Sequence, residues 1–423
     1  VACPLWGQVN NNIKAHLEAG RLYFEIGEGL LQKPMLLVRH GMGQHQIIWA
    51  KQPDQILLIL SPIHSLSGVV IPLKNDGRTD GKILGRFPII KEKSSLRSFY
   101  IDVTDLFLQT AIKWHSELPE TVLVDRSYIE GIRNLENETV IMTKRTTMYG
   151  EQRSTEDVDF SFFILPDPME PRLFDHRMGY FCEDQYSAIN AYPKYAMASI
   201  MRWRLEKKHK NRKVSEPIEP IVFYFDPAMP DKWKPYVKAG ILEWLPAFEA
   251  AGFKNAIEVR EIPKNGEDWP ENSVGCSMVR WANHANIRGR EGKGGSTVRQ
   301  IVDLRSGEIL KSNIILGSSY QGLSDQYFVR CAPMDPRAWQ YPFPDDLMGE
   351  LIQSVTAHEA GHAFGLRDAN YGEYAYPFEK MRDRDWLEEM GHTPSVMTYA
   401  RHNYIVQPED NIPPSLLIQK VGP

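Results

Sequence analysis

The chain has 423 residues, 42% of them apolar and 24% charged, enough for two or three domains of roughly 150 residues with sizeable cores. Its 49 Lys+Arg against 54 Asp+Glu give a net charge of −5, leaving no global basic field to hold nucleic acid or an anionic membrane. Disorder, collagen-like sequence and a membrane channel are excluded: the densest apolar runs, Ile56–Leu60 and Ile221–Phe225, are strand-sized, against the roughly 18 residues a spanning helix needs. A soluble multidomain protein without a transmembrane segment is expected. The opening VACPLWGQVNNN has no basic start followed by an apolar stretch, so no signal peptide is legible, and a mature exported chain would read the same way. Cys3, Cys182, Cys276 and Cys331 contain no CxxC pair, which argues against a cysteine-based zinc site.

Up to Leu165 the chain reads mostly as strands. Arg21–Ile26, Met35–Arg39, Gln46–Ala50, Gln55–Leu60, Ser98–Val103, Thr139–Thr147 and Asp159–Leu165 are short, rich in aromatic and branched residues, and bounded by turn formers. Asn75-Asp76-Gly77 is a hairpin signal, and LPDPMEP ends the pattern with three prolines. An all-β sandwich or barrel over residues 1–181 is expected. Tyr195–Glu206 fits a helix that runs into RWRLEKKHKNRK, where seven of twelve residues are Lys or Arg. That run reads as a solvated helix end within a linker, 182–215, rather than a nucleic-acid patch.

An α/β pattern occupies 216–423. Pro220–Phe225 is a buried-looking strand, and Asp231–Ala250 an amphipathic helix carrying Trp233, Val237, Ile241, Trp244, Leu245 and Phe248 toward the core. Ile257–Ile262 and Cys276–Trp281 follow as strands. Gly289–Ser296 lacks the GKS/T ending and following helix of a phosphate loop and reads as a flexible loop. Ile301–Leu304 and Ile309–Leu316 flank Arg305-Ser306-Gly307 as a hairpin.

The chemistry is concentrated in Thr356-Ala-His-Glu-Ala-Gly-His-Ala-Phe-Gly-Leu-Arg-Asp368, on a helix expected to begin near Asp345. His358 and His362 stand four apart, so both imidazoles leave one helical face about one turn apart and can share one Zn²⁺. Glu359 adjoins the first ligand, where its carboxylate reaches a water at the metal without binding the metal itself. A chance HExxH arises in roughly a few per cent of chains with twelve histidines in this length. Gly365 tolerates the left-handed backbone that ends a helix, and a chain turning back there carries the Asp368 carboxylate to the same metal. Three ligands with a fourth position for water is the catalytic rather than the structural zinc pattern.

Downstream lies Ser395-Val-Met397-Thr-Tyr399. HExxHxxGxxH/D followed by a methionine turn is the signature of the metzincin clan, which this sequence strongly resembles. By that resemblance Met397 supports the ligand histidines from beneath the metal. The S-x-M-x-Y form is similar to astacin- and serralysin-like members, and it makes Tyr399 the residue that helps stabilise the tetrahedral intermediate. The chain further resembles a bacterial family of exported zinc metalloproteases with an EcxA-like catalytic domain after a β-rich domain of unknown function. RLYFEIGEGLLQKPMLLV, LPDPMEPRLFDHRMGYF, WKPYVKAGILEWLPAFEAAGF, HEAGHAFGLR and SVMTYARHNYIVQPED carry this likeness.

The resemblance implies an α+β chain whose catalytic domain has a twisted, mostly parallel sheet, a zinc helix and a Met-turn. It also implies Zn²⁺, a protein or peptide substrate, and a secreted or cell-envelope location. Ile309–Leu316 would be the edge strand that aligns substrate. The family's chains usually continue beyond the position of Pro423, which implies a truncated or processed chain, and usually have His where Asp368 stands. Asp occurs there in snapalysin-like metzincins, and His392 is the alternative third ligand. The expected activity is zinc-dependent endopeptidase; the alternatives are a catalytically silent zinc-containing module that binds glycan or protein, and an exopeptidase.

Overall fold

Period-two alternation governs the first part of the chain. A computed structural model describes residues 13–60, 81–109, 112, 121–149, 152–182, 199–263, 269–282, 295–368 and 372–422. The strands there are β1 (Lys14–Glu18), β2 (Arg21–Gly27), β3 (Met35–Arg39), β4 (Gly43–Lys51), β5 (Gln55–Leu60), β6 (Ile83–Pro88) and β7 (Ser98–Asp102). A short helix, α1 (Thr104–Leu108), precedes β8 (Thr121–Val122), β9 (Tyr128–Asn134), β10 (Glu138–Tyr149) and β11 (Gln152–Ile164). They form two antiparallel sheets, ordered β1-β2-β7 and β6-β5-β4-β3-β11-β10-β8, with β9 also on β10. Along β2, Leu22, Phe24 and Ile26 are fully buried while their neighbours reach solvent. Both sheets contribute to one core, where Phe24 meets Phe162 edge-on at 5.2 Å and Trp49 stacks on Phe162 at 5.6 Å. This is the expected β-rich region; β1, β6, β8 and β9 were not legible as strands.

The second part mixes helix and sheet. Its elements are β12 (Ile221–Phe225), α2 (Lys234–Leu242), α3 (Leu245–Ala250), β13 (Ile257–Arg260), β14 (Ser277–Trp281), β15 (Thr297–Asp303), β16 (Glu308–Leu316), α4 (Tyr320–Cys331), α5 (Asp345–Ala363) and α6 (Arg384–Met390). The sheet order is β13-β12-β14-β16-β15, parallel except for the β15–β16 hairpin. Trp233, Val237, Ile241 and Trp244 are buried in its core, with Leu245 and Phe248 packed against them. Gly240 is a point of close approach: a Cβ there would crowd Gln353 O and Thr356 of α5.

Four expectations need correction. The helix Asp231–Ala250 is two helices, because Pro246 has no N–H to bond Leu242 O and its ring cannot follow an unbroken helix. The helix Tyr195–Glu206 is absent over its described part: Ile200, Met201 and Arg202 donate to Arg172 O, Phe181 O and Gly307 O, so this stretch is extended. Arg204 of the basic run is not a solvated charge, since it pairs with both carboxylate oxygens of Glu308 at 2.7 and 2.6 Å. Ile309–Leu316 is not an edge strand either; β16 lies between β14 and β15, and β15 is the edge. Asn75–Gly77, most of Gly289–Ser296, and Cys3 lie outside the described residues, while Cys182, Cys276 and Cys331 are buried thiols.

The two parts meet through buried polar groups. Glu138 accepts from Ser273 Oγ at 2.5 Å and Val274 N at 2.9 Å, and Lys311 Nζ donates to Ser273 O at 2.6 Å. Burial pushes the Glu138 carboxyl up and the Lys311 ammonium down to about 8. Gln44 reaches the sheet edge, accepting from Val302 N at 2.8 Å and donating to Val302 O at 2.6 Å. No described helix is long and apolar enough to cross a membrane.

Two histidines buried in the second part make the fold acid-sensitive. Burial holds His392 down to about 4; burial, with Arg330 nearby, holds His402 to about 3. Both folded values lie below the unfolded value near 6.5, so the stabilisation from keeping them neutral is full above pH 6.5 and is lost as pH falls. The expected loss at pH 5 is roughly 2 kcal/mol for each. Urea midpoints at pH 7 and pH 5 test this. A drop equally large in a His392→Gln/His402→Gln variant removes these two groups from the acid response.

Candidate metal centre

α5 starts after Pro344 with Asp345 and Asp346 in its first turn, where carboxylates favour the positive end of the helix dipole. Leu347, Leu351 and Ala357 bury one stripe of it, and Trp244 Nε1 donates to Ala357 O at 2.8 Å. On the cavity side His358 and His362 project together, their ring centroids 4.8 Å apart. The helix then stops sharply. Gly365 takes φ +102°, Leu366 N bonds Gly361 O and Gly365 N bonds His362 O, the paired closure of a left-handed helix end. A side chain at Gly365 would overlap Met201 O, so glycine is required twice over.

The last carbonyls of α5 are satisfied from far away in sequence. Trp203 Nε1 donates to Ala363 O at 2.9 Å and Gln300 Nε2 to His362 O at 3.1 Å. Phe181 N bonds Gly365 O, Arg367 N bonds Gly179 O, and the Phe181 ring lies 5.5 Å from that of His362. Trp203, Gln300 and Phe181 were invisible to motif reasoning, because their role lies in bonds spanning 62 residues or more.

Beyond the turn, Asp368 comes back to the histidines. Its Oδ1 lies 3.2 Å from His358 Nε2 and 3.5 Å from His362 Nε2, and Tyr399 Oη donates to its Oδ2 at 2.8 Å. His358 Nδ1 faces Val396 O at 2.7 Å and His362 Nδ1 faces Leu366 O at 2.8 Å. A carbonyl only accepts, so each Nδ1 carries the hydrogen and each neutral ring turns a bare Nε2 toward Asp368. Three lone-pair atoms therefore converge, and a proton or a cation must lie among them. Burial opposes ionisation of Asp368, yet a proton shared with the facing His358 and His362 rings, together with the Tyr399 hydroxyl, outweighs it and holds the carboxyl far below the usual range. Burial likewise disfavours a charged His362, but Asp368 and Leu366 O raise it.

The donor set suits zinc. Tetrahedral ligands 2.0–2.1 Å from zinc stand about 3.3 Å apart, and the two Nε2–Oδ1 separations bracket that value. Asp368 Oδ1 and Glu359 Oε2 are buried without a hydrogen-bond partner. Burial, with Asp368 adding to it, pushes the Glu359 carboxyl up. Among the described residues, His358, His362 and Asp368 are the group of His, Cys, Asp and Glu placed to share a metal; His392 is buried elsewhere.

Met397 is buried beneath α5 at Gly361, where a Cβ would overlap Met397 Sδ and Trp244. The glycine within HEAGH is thus a packing requirement. Glu359, His358, His362, Asp368, Tyr399 and Arg401 line a cavity of about 520 Å³ together with Gly295–Thr297 and Ser318–Ser319.

Residues 340–423, from the approach to α5 through Tyr399 and onward, match the sequence family described as Met-zincin. The chain carries a Met-zincin-type domain. Residues 42–208 match a domain of unknown function (DUF5117), so Trp203 and Phe181 reach the Met-zincin helix from a separately matched region. No curated protein matches the chain. The Met-zincin match implies zinc and a metalloprotease-type activity.

Metal retention discriminates the ligands. Asp368→Ala should lose zinc during dialysis that leaves the parent loaded, His392→Ala should keep it, and Asp368→His should keep it if the turn admits the larger ring. Zinc lost from His392→Ala and kept by Asp368→Ala contradicts this ligand set.

Proposed function

We propose that the chain is a zinc-dependent endopeptidase. The observation that carries this reading is the convergence of His358 Nε2, His362 Nε2 and Asp368 Oδ1 beside an unpartnered Glu359 Oε2 in an open cavity. A purely structural metal has no need of that carboxylate. Zinc, when bound by His358, His362 and Asp368, supplies the Lewis acidity that activates water and polarises a carbonyl. Glu359, its carboxyl pushed up by burial and drawn back toward the ionised form by the nearby imidazoles, accepts the proton of the attacking water at Oε2 and delivers it to the leaving amine. Tyr399 donates to Asp368 in this structure and is 59% exposed, so its hydroxyl is free to turn toward the developing oxyanion when substrate arrives. Met397, packed on Gly361, keeps the floor of the site rigid in the manner of a Met-turn.

A peptide would be aligned by β15 rather than β16. The Gly295–Thr297 end borders the cavity, and an added antiparallel strand there would pass the ligands. At the far end the Gln44 amide already takes the Val302 N–H and C=O, which supports entry at the Thr297 end. A secreted or cell-envelope location belongs to the same proposal and rests on the family resemblance alone; cell fractionation tests it.

Incubation with an unfolded protein, with chelator and with zinc restored, is the first test. Internal fragments should appear, cease with chelator and return with zinc; release of single residues would instead mark an exopeptidase. Glu359→Gln should bind zinc normally yet lose about 10²–10⁴-fold in turnover; parental turnover in that variant removes Glu359 as the general base, and no chelator-sensitive cleavage by the parent leaves a binding module. For Tyr399→Phe a loss on the order of 10² in kcat with unchanged zinc is expected, and an unchanged kcat confines Tyr399 to orienting Asp368.

A further inference from the structure

Arg401 follows the Ser395–Tyr399 turn and contributes to the wall of the metal cavity. Its backbone takes φ +63°, a region that long side chains rarely adopt, and it is held there by Gln419 N bonding Arg401 O and by the His402–Ile418 bridge. The guanidinium lies over the Tyr399 ring, 5.2 Å from its centroid. Among the described residues it has no carboxylate partner, in contrast to Arg204 on Glu308, Arg305 on Asp303 and Arg337 on Asp335 and Glu350. The other cavity-lining side chains are His358, His362, the carboxylates Glu359 and Asp368, and neutral groups such as Ser296, Ser319 and Gln326.

We propose that Arg401 determines specificity by receiving a carboxylate of the substrate, either an acidic side chain near the scissile bond or the peptide's C-terminus. A guanidinium offers five donors in a planar fork that matches a carboxylate bidentately. Stacking on Tyr399 fixes that fork without neutralising it. An anionic substrate group entering the cavity otherwise meets Glu359, so a cation that offsets this repulsion is what makes an acidic peptide acceptable there. The inference rests on the endopeptidase reading for its substrate, and recognition of the carboxylate is separable from turnover.

The test uses the full chain loaded with zinc and end-blocked peptides in which one Glu, or its Gln counterpart, is walked across the positions flanking the cleavage site. An otherwise neutral peptide with a free C-terminus is compared with its amide. Affinity is measured on Glu359→Gln, which needs no turnover, and kcat/KM on the parent. A preference of about 10–100-fold for the carboxylate form is expected at one position or at the C-terminus, which tells the two sources apart. Arg401→Gln should bring that ratio to within about threefold, and Arg401→Glu should invert it in favour of a Lys peptide. A carboxylate preference that survives both substitutions, or its absence from both readouts, overturns the proposal. Cleavage without such preference overturns it alone. Preferential binding that depends on Arg401, with no cleavage of any peptide, sustains it and refutes the endopeptidase reading instead.

Discussion

The site depends on where one helix ends. Continuing α5 as a helix would carry Asp368 about 9 Å beyond His362 along the axis and turn it to another face. Instead the chain reverses at Gly365 and brings the carboxylate within 3.5 Å of both imidazoles. Such an end exposes carbonyls that must be satisfied, and here Trp203, Gln300 and the helix's own closing bonds take them up. Met201 O presses against Gly365 from the same extended stretch, so the segment that joins the β-rich region to the α/β region also shapes the metal centre.

The polar groups at the centre are costly to bury and are fixed by what each can accept or donate. Two backbone carbonyls set both imidazole tautomers, and Tyr399 occupies the outer oxygen of Asp368. What is left pointing inward is a cluster of bare acceptors, which a divalent cation satisfies better than any neutral group. Packing below is equally constrained. Gly361 admits Met397, and Gly240 admits the close crossing of α2 on α5, so glycines here serve contact distance rather than flexibility.

The β-rich region bears on the site through the sheet as well. Buried Glu138 and Lys311 share the Ser273–Val274 segment, and such polar contacts fix register more firmly than apolar contacts, because each misplacement leaves a buried group unpaired. Gln44 occupies the backbone of Val302 on the edge strand whose other end borders the cavity. The accessible length of that edge is therefore set in part by the β-rich region.

Sequence by itself determined the strands Met35–Arg39 and Gln55–Leu60 residue for residue, the start of α5 at Asp345, and the spacing of His358, His362, Gly365 and Asp368. These are properties of neighbours within one or two turns, where periodicity, caps and glycine conformation act directly. Tertiary structure alone decided that Asp368 and not His392 meets the imidazoles, that 199–206 is extended, that β15 and not β16 forms the edge, and that Arg401 faces the cavity without a carboxylate partner among the described residues. Where a hydrogen bond decides, its partner lies far along the chain, as when Trp203 bonds Ala363 or Gly307 takes the hydrogen bond of Arg202. A local pattern reports what a residue can do, and only long-range pairing of backbone groups settles which of those possibilities is used.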